Sequence, residues 1–387
     1  MSDSRCRVLV LLNSLHIGGA EKHSIQLLNK LDDREFALSV RWLKPVESLL
    51  PQLDTGRLAG FGCLHVSSKL DWKAVRALTR LMDDSDFDVV LCTNEYPALY
   101  ASLAARRTRR PPRLVEVFHT TEYARWKERV QMLLYRRILR TFDLLVYVSE
   151  QQMRYWRRHG LRAKRDMFIH NGIDCQEFTD SSGAEARRQR RAELGFAAQD
   201  YVVAICAALR PEKAHGDFLG AMARLRRRLP GVRGMIIGDG PERARIETAI
   251  SALGLQEAVR ITGFQRDVRP LVSSADVVVL TSHRIETFSI AALEAMALGK
   301  PLVLTRIGGA EEQVRPGENG FLYEPGDIDS LCAHLARLAD PGLRQSMGHR
   351  AGEFARAHFD EAGMLRRYAE QLSRLAQERR AALASVS

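Results

Sequence analysis

The chain has 387 residues, 45% of them hydrophobic and 27% charged, which is enough for two domains with buried cores and shows no low-complexity segment. No apolar run approaches the ~18 residues that span a bilayer, and six cysteines without a Cys-x-x-Cys pair argue against a disulfide framework or a zinc site and fit a reducing cytosol. The net charge of +11 fits nucleic acid, a membrane surface or a generally basic proteome, so its location matters more than its total.

The N-terminal run MSDSRCRVLVLLNS is broken at Asn13 and has no small-residue cleavage pattern, which argues against a signal peptide. Its apolar part, residues 7–13, reads as a strand buried on both faces, as in a parallel sheet. Gly18 and Gly19 lie in the loop that follows, before a helix carrying Ile25, Leu27, Leu28 and Leu31. Glycine there permits close approach of a ligand to the backbone; a tight turn is the plainer reading. Strands and helices then alternate: FALSVRWL, GCLHVSS, a helix from Trp72 to Leu81, DVVLCTN, a helix from Pro97 to Arg107, and RLVEVFH. Repeated βα units predict a doubly wound parallel sheet, whose ligands bind at the carboxyl ends of strands. His119 stands at such an end. The Asp-x-Asp runs in MDDSDFDVV and GDIDS sit where aspartate caps and solvates helices, so no metal site is assigned to them.

A helix is expected from about Thr121 to Arg140, then the strand DLLVYVS, the helix EQQMRYWRRHG and the run MFIHNGID. The polar segment that follows contains ARRQRRAE, read as a solvated helical face. The expected division is residues 1–178 as a first domain, 179–200 as linker and first helix, 201–356 as a second domain, and 357–387 as a terminal helix. That helix belongs either to the second domain or to the first. The second domain opens with a strand and a loop holding Arg210 and Lys213, cations suited to phosphate; two exposed loop cations is the plainer reading. GDGP at 238–241 reads as a turn with proline at the first helical position. Gly263 and Phe264 end the next strand.

The stretch from Ser282 to Gly320 carries the strongest signal. Glu286 is predicted in the loop after the strand VVVLTS, and Glu294 one to two turns into the following helix, eight positions on. The N–H groups of Thr287, Phe288 and Ser289 are expected free at the helix start, which favours phosphate. Carboxylates on either side suit diols. Phosphate between two polyols is what a nucleotide-sugar presents.

On this Glu-x7-Glu, its strand–loop–helix–Gly–Pro–strand setting and the GGAEE after it, the sequence resembles the retaining family-4 glycosyltransferases of the GT-B fold. The resemblance spans essentially the whole chain and includes NGID at 171–174. It implies an α/β GT-B fold, two Rossmann-like domains facing a cleft, with the acceptor side first. It implies transfer of a hexose with retention, without a metal and without a cofactor other than the nucleotide-sugar substrate. His119 would contact the donor sugar or acceptor, and Glu286 would hold sugar hydroxyls. Glu294 would hold the ribose diol, and Phe264 would border the nucleobase. Gly19, Lys213 and the amides of Phe288 and Ser289 would hold the diphosphate. Ala208 departs from the pattern, since many members have arginine there; Arg210 is the candidate substitute. A nucleotide-sugar 2-epimerase of the same fold and a non-enzymatic nucleotide-binding or membrane-docking relative are the alternatives.

Residues 101–170 hold 17 Lys/Arg and 6 Asp/Glu, a net +11 equal to that of the whole chain. Tyr123, Trp126, Tyr135, Tyr155 and Trp156 interleave with them, as suits a headgroup zone. The expected partners are therefore a nucleotide-sugar, a glycan or lipid-linked acceptor and an anionic membrane surface, with no nucleic acid. The expected location is cytoplasmic, peripheral on the inner membrane face.

Overall fold

Strands that are apolar without alternation need cover on both faces, and here they pair only in parallel. The computed structural model describes residues 5–120, 126–179 and 183–385, without the side chains of 126–131. The chain divides into two units, Met1–Asn171 with Gly363–Ser387, and Gly172–Ala362. The first unit contains β1 (Cys6–Leu12), β2 (Phe36–Trp42), β3 (Gly60–Cys63), β4 (Val89–Thr93), β5 (Arg113–Phe118), β6 (Leu144–Tyr147) and β7 (Asp166–Phe168). Their order in one sheet is β3-β2-β1-β4-β5-β6-β7. The second contains β8 (Tyr201–Cys206), β9 (Val232–Ile237), β10 (Val259–Gly263), β11 (Val277–Leu280), β12 (Leu302–Thr305) and β13 (Gly320–Tyr323), ordered β10-β9-β8-β11-β12-β13. In each sheet the strand order reverses beside the first strand, at β1/β4 and at β8/β11, which opens a crevice at the carboxyl ends. Each unit has its own core, around Leu9, Val90 and Phe118 in the first and Val203, Ile236 and Val279 in the second.

Several boundaries differ from the sequence expectation. β3 stops at Cys63, because His65 adopts a left-handed backbone (φ 50°) that cannot continue a strand. The helix expected from Thr121 is described as Trp126–Leu139, and residues 121–125 lie outside the described residues. The division between units falls at Asn171/Gly172, and the basic run forms the helix Gly183–Glu193 within the second unit. Arg191 of that helix donates to the Ser274 carbonyl at 2.9 Å and pairs with Asp276 at 3.0 Å.

From Gly363 onward the terminal helix Glu361–Ala384 belongs to the first unit, which decides between the two placements left open above. Tyr368, Leu372 and Leu375 are buried there. Arg380 holds the buried Asp88 at 2.6 Å, and Arg379 holds Asp86 at 2.6 Å. Glu378 forms a two-bonded pair with Arg165, both at 2.8 Å. Burial alone would raise the Asp88 carboxyl; bonds from Arg380 and the Arg7 amide, with the arginine charges, hold it below its ordinary value. One Asp-x-Asp run thus anchors the last helix. In the other, Asp327 caps the helix Ile328–Arg337 by accepting from the Ser330 amide.

Candidate functional site

In the second unit the loops after β8, β9, β10, β11 and β12 all leave the carboxyl edge of the sheet. The first of them turns through a short 3-10 helix, Pro211–Lys213, into the helix His215–Arg226. Ala214 joins the two with φ 46° and ψ 47°, a left-handed conformation that costs an alanine roughly 1–2 kcal/mol. That kink carries Lys213 to Glu286: Nζ lies 2.6 Å from Oε2, with the side chains 21% and 19% exposed. Ser282 Oγ donates to the same carboxylate oxygen at 3.1 Å. The two loops are tied further, since Thr281 Oγ1 donates to the Lys213 carbonyl at 2.8 Å and the His283 amide to the Glu212 carbonyl at 3.0 Å. Burial and the Lys213 charge push His215 down to about 4, so it is neutral beneath the lysine.

Arg210 is exposed and has no ion pair among the described residues. Phe264 is 47% exposed just past the end of β10. Gly238 lies against the Ala207 carbonyl, where a Cβ would come within 2.1 Å, so the GDGP turn packs on the loop that leads to Arg210.

Ser289 is the N-cap of the helix Ile290–Ala297, its hydroxyl accepting from the Ala292 amide at 3.2 Å. Glu294 is buried in the second turn of that helix. The expectation of a free Ser289 amide is corrected: it donates to Gln313 Oε1 at 3.3 Å, while Gln313 Nε2 donates to the Ser289 carbonyl at 2.8 Å. Gln313 is buried and clamps the loop between the two glutamates from outside it. The Phe288 ring is also buried, against Phe359 at 5.2 Å between centroids, so any ligand contact by Phe288 falls to its backbone. Gly308 (φ 52°) has no room for a Cβ, which would lie 1.7 Å from the Glu286 carbonyl oxygen, and the Gly309 amide donates to the Thr287 carbonyl at 2.7 Å. The two glycines of GGAEE therefore set the path of the Glu286 backbone. Gln313, Gly308 and Ser282 were not singled out from sequence. For Gly308 the Gly-Gly pair was visible, but its purpose depends on a chain segment some twenty positions earlier.

In the first unit Gly18 is the N-cap, and Gly19 the first residue, of the helix Gly19–Lys30. Gly18 is extended (φ −160°), and a Cβ there would meet the Glu21 carboxylate. The same helix carries His23, whose ring lies 5.2 Å from that of His119, edge to face. Burial pushes His23 down to about 4. It also holds His119 well below its ordinary value, with His23 adding to the shift, so both rings are neutral at pH 7. The His119 amide donates to Asn94 Oδ1 at 2.9 Å. Asn94 has φ 66° and ψ 179°, a region essentially reserved for glycine and costing of order 1–3 kcal/mol. Gln152 and Trp156 donate to the Thr120 carbonyl, both at 2.9 Å, and fix the chain just past His119. None of these supports was read from sequence, because each reaches His119 from another element.

The basic segment 101–170 is less uniform than its composition. Arg113 and Lys164 pair with Asp143, Arg157 with Asp166 and Arg154 with Glu150. The aromatic expectation needs correction. Tyr135 is buried and bonds Glu116, and Trp156 is buried against Phe118. Tyr123 and the Trp126 side chain lie outside the described residues. Among the described residues of this segment the exposed large apolar side chains are instead Leu133 and Leu134. Among the described residues no group of three His, Cys, Asp or Glu is placed to hold a metal ion, and no helix is long and apolar enough to cross a membrane.

The family described as Glycosyltransferase Family 4 matches residues 17–177, and the one described as Glycosyl transferases group 1 matches residues 186–356. The putative glycosyltransferase EpsD of Bacillus subtilis is 29% identical over 296 residues, 74% of this chain and 76% of that one. A GDP-mannose-dependent alpha-(1-6)-phosphatidylinositol monomannoside mannosyltransferase of Mycolicibacterium smegmatis is 30% identical, over 70% of this chain and 72% of its own. Some other curated relatives are matched over about half of their length. Among solved structures, Anabaena Alr3699/HepE in complex with UDP aligns with a TM-score of 0.84 at 24% identity, covering 95% of this chain and 99% of that one. Its complex with UDP-glucose aligns at 0.83.

Proposed function

Since the chain belongs to the family-4-like glycosyltransferases of the GT-B fold, we propose that it moves a hexose from a nucleotide-sugar to an acceptor hydroxyl, with retention at the anomeric carbon and without a metal. The observation that carries the reading is the Lys213–Glu286 pair, set at the carboxyl edge of the second sheet beside the helix that holds Glu294. An ammonium there meets the charge that develops on the β-phosphate as the diphosphate leaves. Glu286, already oriented by Ser282 and Lys213, accepts hydrogen bonds from donor sugar hydroxyls. Glu294 accepts them from the ribose diol, and the backbone of Thr287 and Phe288 with Arg210 completes the diphosphate site. Phe264 offers an exposed ring for the base. In the first unit Gly19 is the first residue of a helix, whose N-terminus suits phosphate, and neutral His119 offers a hydrogen bond rather than a charge to the sugar or acceptor. The incoming hydroxyl attacks from the leaving-group face and passes its proton to a donor phosphate oxygen.

The names of two relatives support a nucleotide-sugar donor, one being GDP-mannose-dependent and the other seen with UDP-glucose. Action on phosphatidylinositol mannoside by the first supports a product in glycolipid or cell-surface polysaccharide assembly. Among the described residues 101–170, Arg109, Arg140, Arg158 and Arg162 hold no ion pair, and with exposed Leu133 and Leu134 they support peripheral binding to an anionic membrane. A thermal-shift panel of nucleotide-sugars tests the donor, since a ligand at 100 times its Kd stabilises by about 2.7 kcal/mol. Turnover with crude acceptor lipid, read by the anomeric proton of the product, tests transfer and retention. No shift with any nucleotide-sugar overturns the reading. A changed sugar nucleotide formed without acceptor indicates the epimerase.

A further inference from the structure

We propose that the first unit holds a site for a phosphorylated amphiphile: an acceptor whose sugar is joined through a phosphate or diphosphate to an apolar chain. This rests on the glycosyltransferase reading and names the acceptor class within it. A pocket of about 1190 Å³ opens at the carboxyl edge of the first sheet. Asn13 after β1, Lys44 after β2, Ser67 to Lys69 after β3, and Glu95 and Tyr96 after β4 line it, which is where a sheet of this kind takes ligands. The helix Trp126–Leu139 closes another side through its second half.

The lining separates into two chemistries. Val66, Leu99, Met132, Leu134 and Ile138 make an apolar wall. Lys44, Lys69, Arg106 and Arg137 are exposed cations facing a single lining carboxylate, Glu95, which already accepts from Thr120 Oγ1 at 3.1 Å. Lys69, Arg106 and Arg137 hold no ion pair among the described residues, in contrast to Arg113, Arg154, Arg157 and Lys164 nearby in sequence. The site is built rather than casual. The Tyr96 hydroxyl donates to the carbonyls of Ser68 and Lys69, at 3.0 and 2.7 Å, and so fixes the loop that presents Lys69, while Lys44 lies 5.5 Å over the Tyr96 ring. Tyr135 is pinned by its bond to Glu116, whose carboxyl burial holds well above the usual carboxylate range, so the floor adds no negative charge. Leu133 and Leu134 are 58% and 63% exposed, so the apolar wall runs out to the surface.

A neutral glycan uses neither the cations nor the apolar wall, and a free phosphate uses only the cations. The volume also exceeds the ~300–1,000 Å³ of an ordinary small-ligand pocket. An anionic head on an apolar chain uses both features, with the chain leaving past Leu134.

The test is calorimetric titration of the full chain with octyl phosphate, octyl glucoside and inorganic phosphate, each below micelle formation. Octyl phosphate should bind about tenfold or more tightly than either of the others, and the double variant Lys69→Glu/Arg137→Glu should lose about tenfold or more. Leu134→Gln should weaken octyl phosphate and leave inorganic phosphate unchanged. All three positions are exposed or line the opening, and an unchanged melting temperature confirms folding. Equal binding of inorganic phosphate, equal binding of octyl glucoside, or indifference to the variants overturns the proposal. The nucleotide-sugar thermal shift run on the same samples separates the two readings: a donor shift without octyl phosphate binding removes the amphiphile site alone, and loss of every donor shift removes the glycosyltransferase reading.

Discussion

Replacing Lys213 with alanine separates a structural ion pair from a catalytic cation. In the folded chain its ammonium lies 2.6 Å from Glu286, and both side chains are about a fifth exposed. Exposed pairs contribute roughly 0–1 kcal/mol, and breaking a fully buried one costs about 3–5, so this pair falls at about 1–2 kcal/mol. Each kilocalorie lowers the melting temperature of a domain this size by roughly 2–4 °C. Loss of a group that stabilises departing negative charge costs about 100-fold or more in turnover, some 2.7 kcal/mol in the barrier. The variant should therefore melt a few degrees lower, remain folded at 25 °C, and lose nearly all activity. Glu286→Gln supplies the control. If Lys213 serves only to orient Glu286, removing it in the Glu286→Gln background costs nothing more. If it meets the diphosphate, the double variant is slower again by about tenfold or more. Initial rates at saturating donor, with melting curves on the same samples, decide the matter. Near-normal turnover by folded Lys213→Ala refutes the assignment.

Ala214→Gly should relieve the left-handed strain and raise stability by about 0.5–1 kcal/mol after the added chain entropy is subtracted, measured by urea unfolding; a loss would mean the kink is unstrained. The Asp88 carboxyl is held below its ordinary value in the folded state, so its stabilising contribution is complete above about pH 4 and is lost as pH falls through the depressed folded pKa. Asp88→Asn should accordingly cost about 3 kcal/mol at pH 7 and much less near pH 2, and an equal deficit at both would contradict the latch. EDTA should leave transfer intact, because Asp86 and Asp88 are engaged by Arg379 and Arg380 and, on the proposed reading, the Lys213 loop meets the diphosphate charge; loss reversed by magnesium or manganese would overturn this. Sedimentation with liposomes should rise with anionic lipid, fall with salt, and weaken when Arg109, Arg140, Arg158 and Arg162 are neutralised, while absence of binding at low salt would point to a soluble acceptor.

The sequence by itself determined the two parallel sheets, since unbroken apolar strands alternating with amphipathic helices have no other way to cover both faces. It also located Glu286 and Glu294, because a strand, a turn and a helix start are local events that place nearby residues predictably. Tertiary structure decided what holds those residues. Gln313 clamps Ser289 from beyond the next strand, Gly308 admits the Glu286 backbone, and strained Asn94 receives the His119 amide. It decided that Tyr135 and Trp156 are core rather than surface, which interleaving with arginine could not reveal. It also decided that the last helix belongs to the first unit. Arg379 and Arg380 read as two ordinary helical cations until they meet Asp86 and Asp88, nearly three hundred positions earlier. Pairing across that span follows from the packed chain, because hydrogen bonds and ion pairs depend on distance in space, and periodicity reports only which face of an element is apolar.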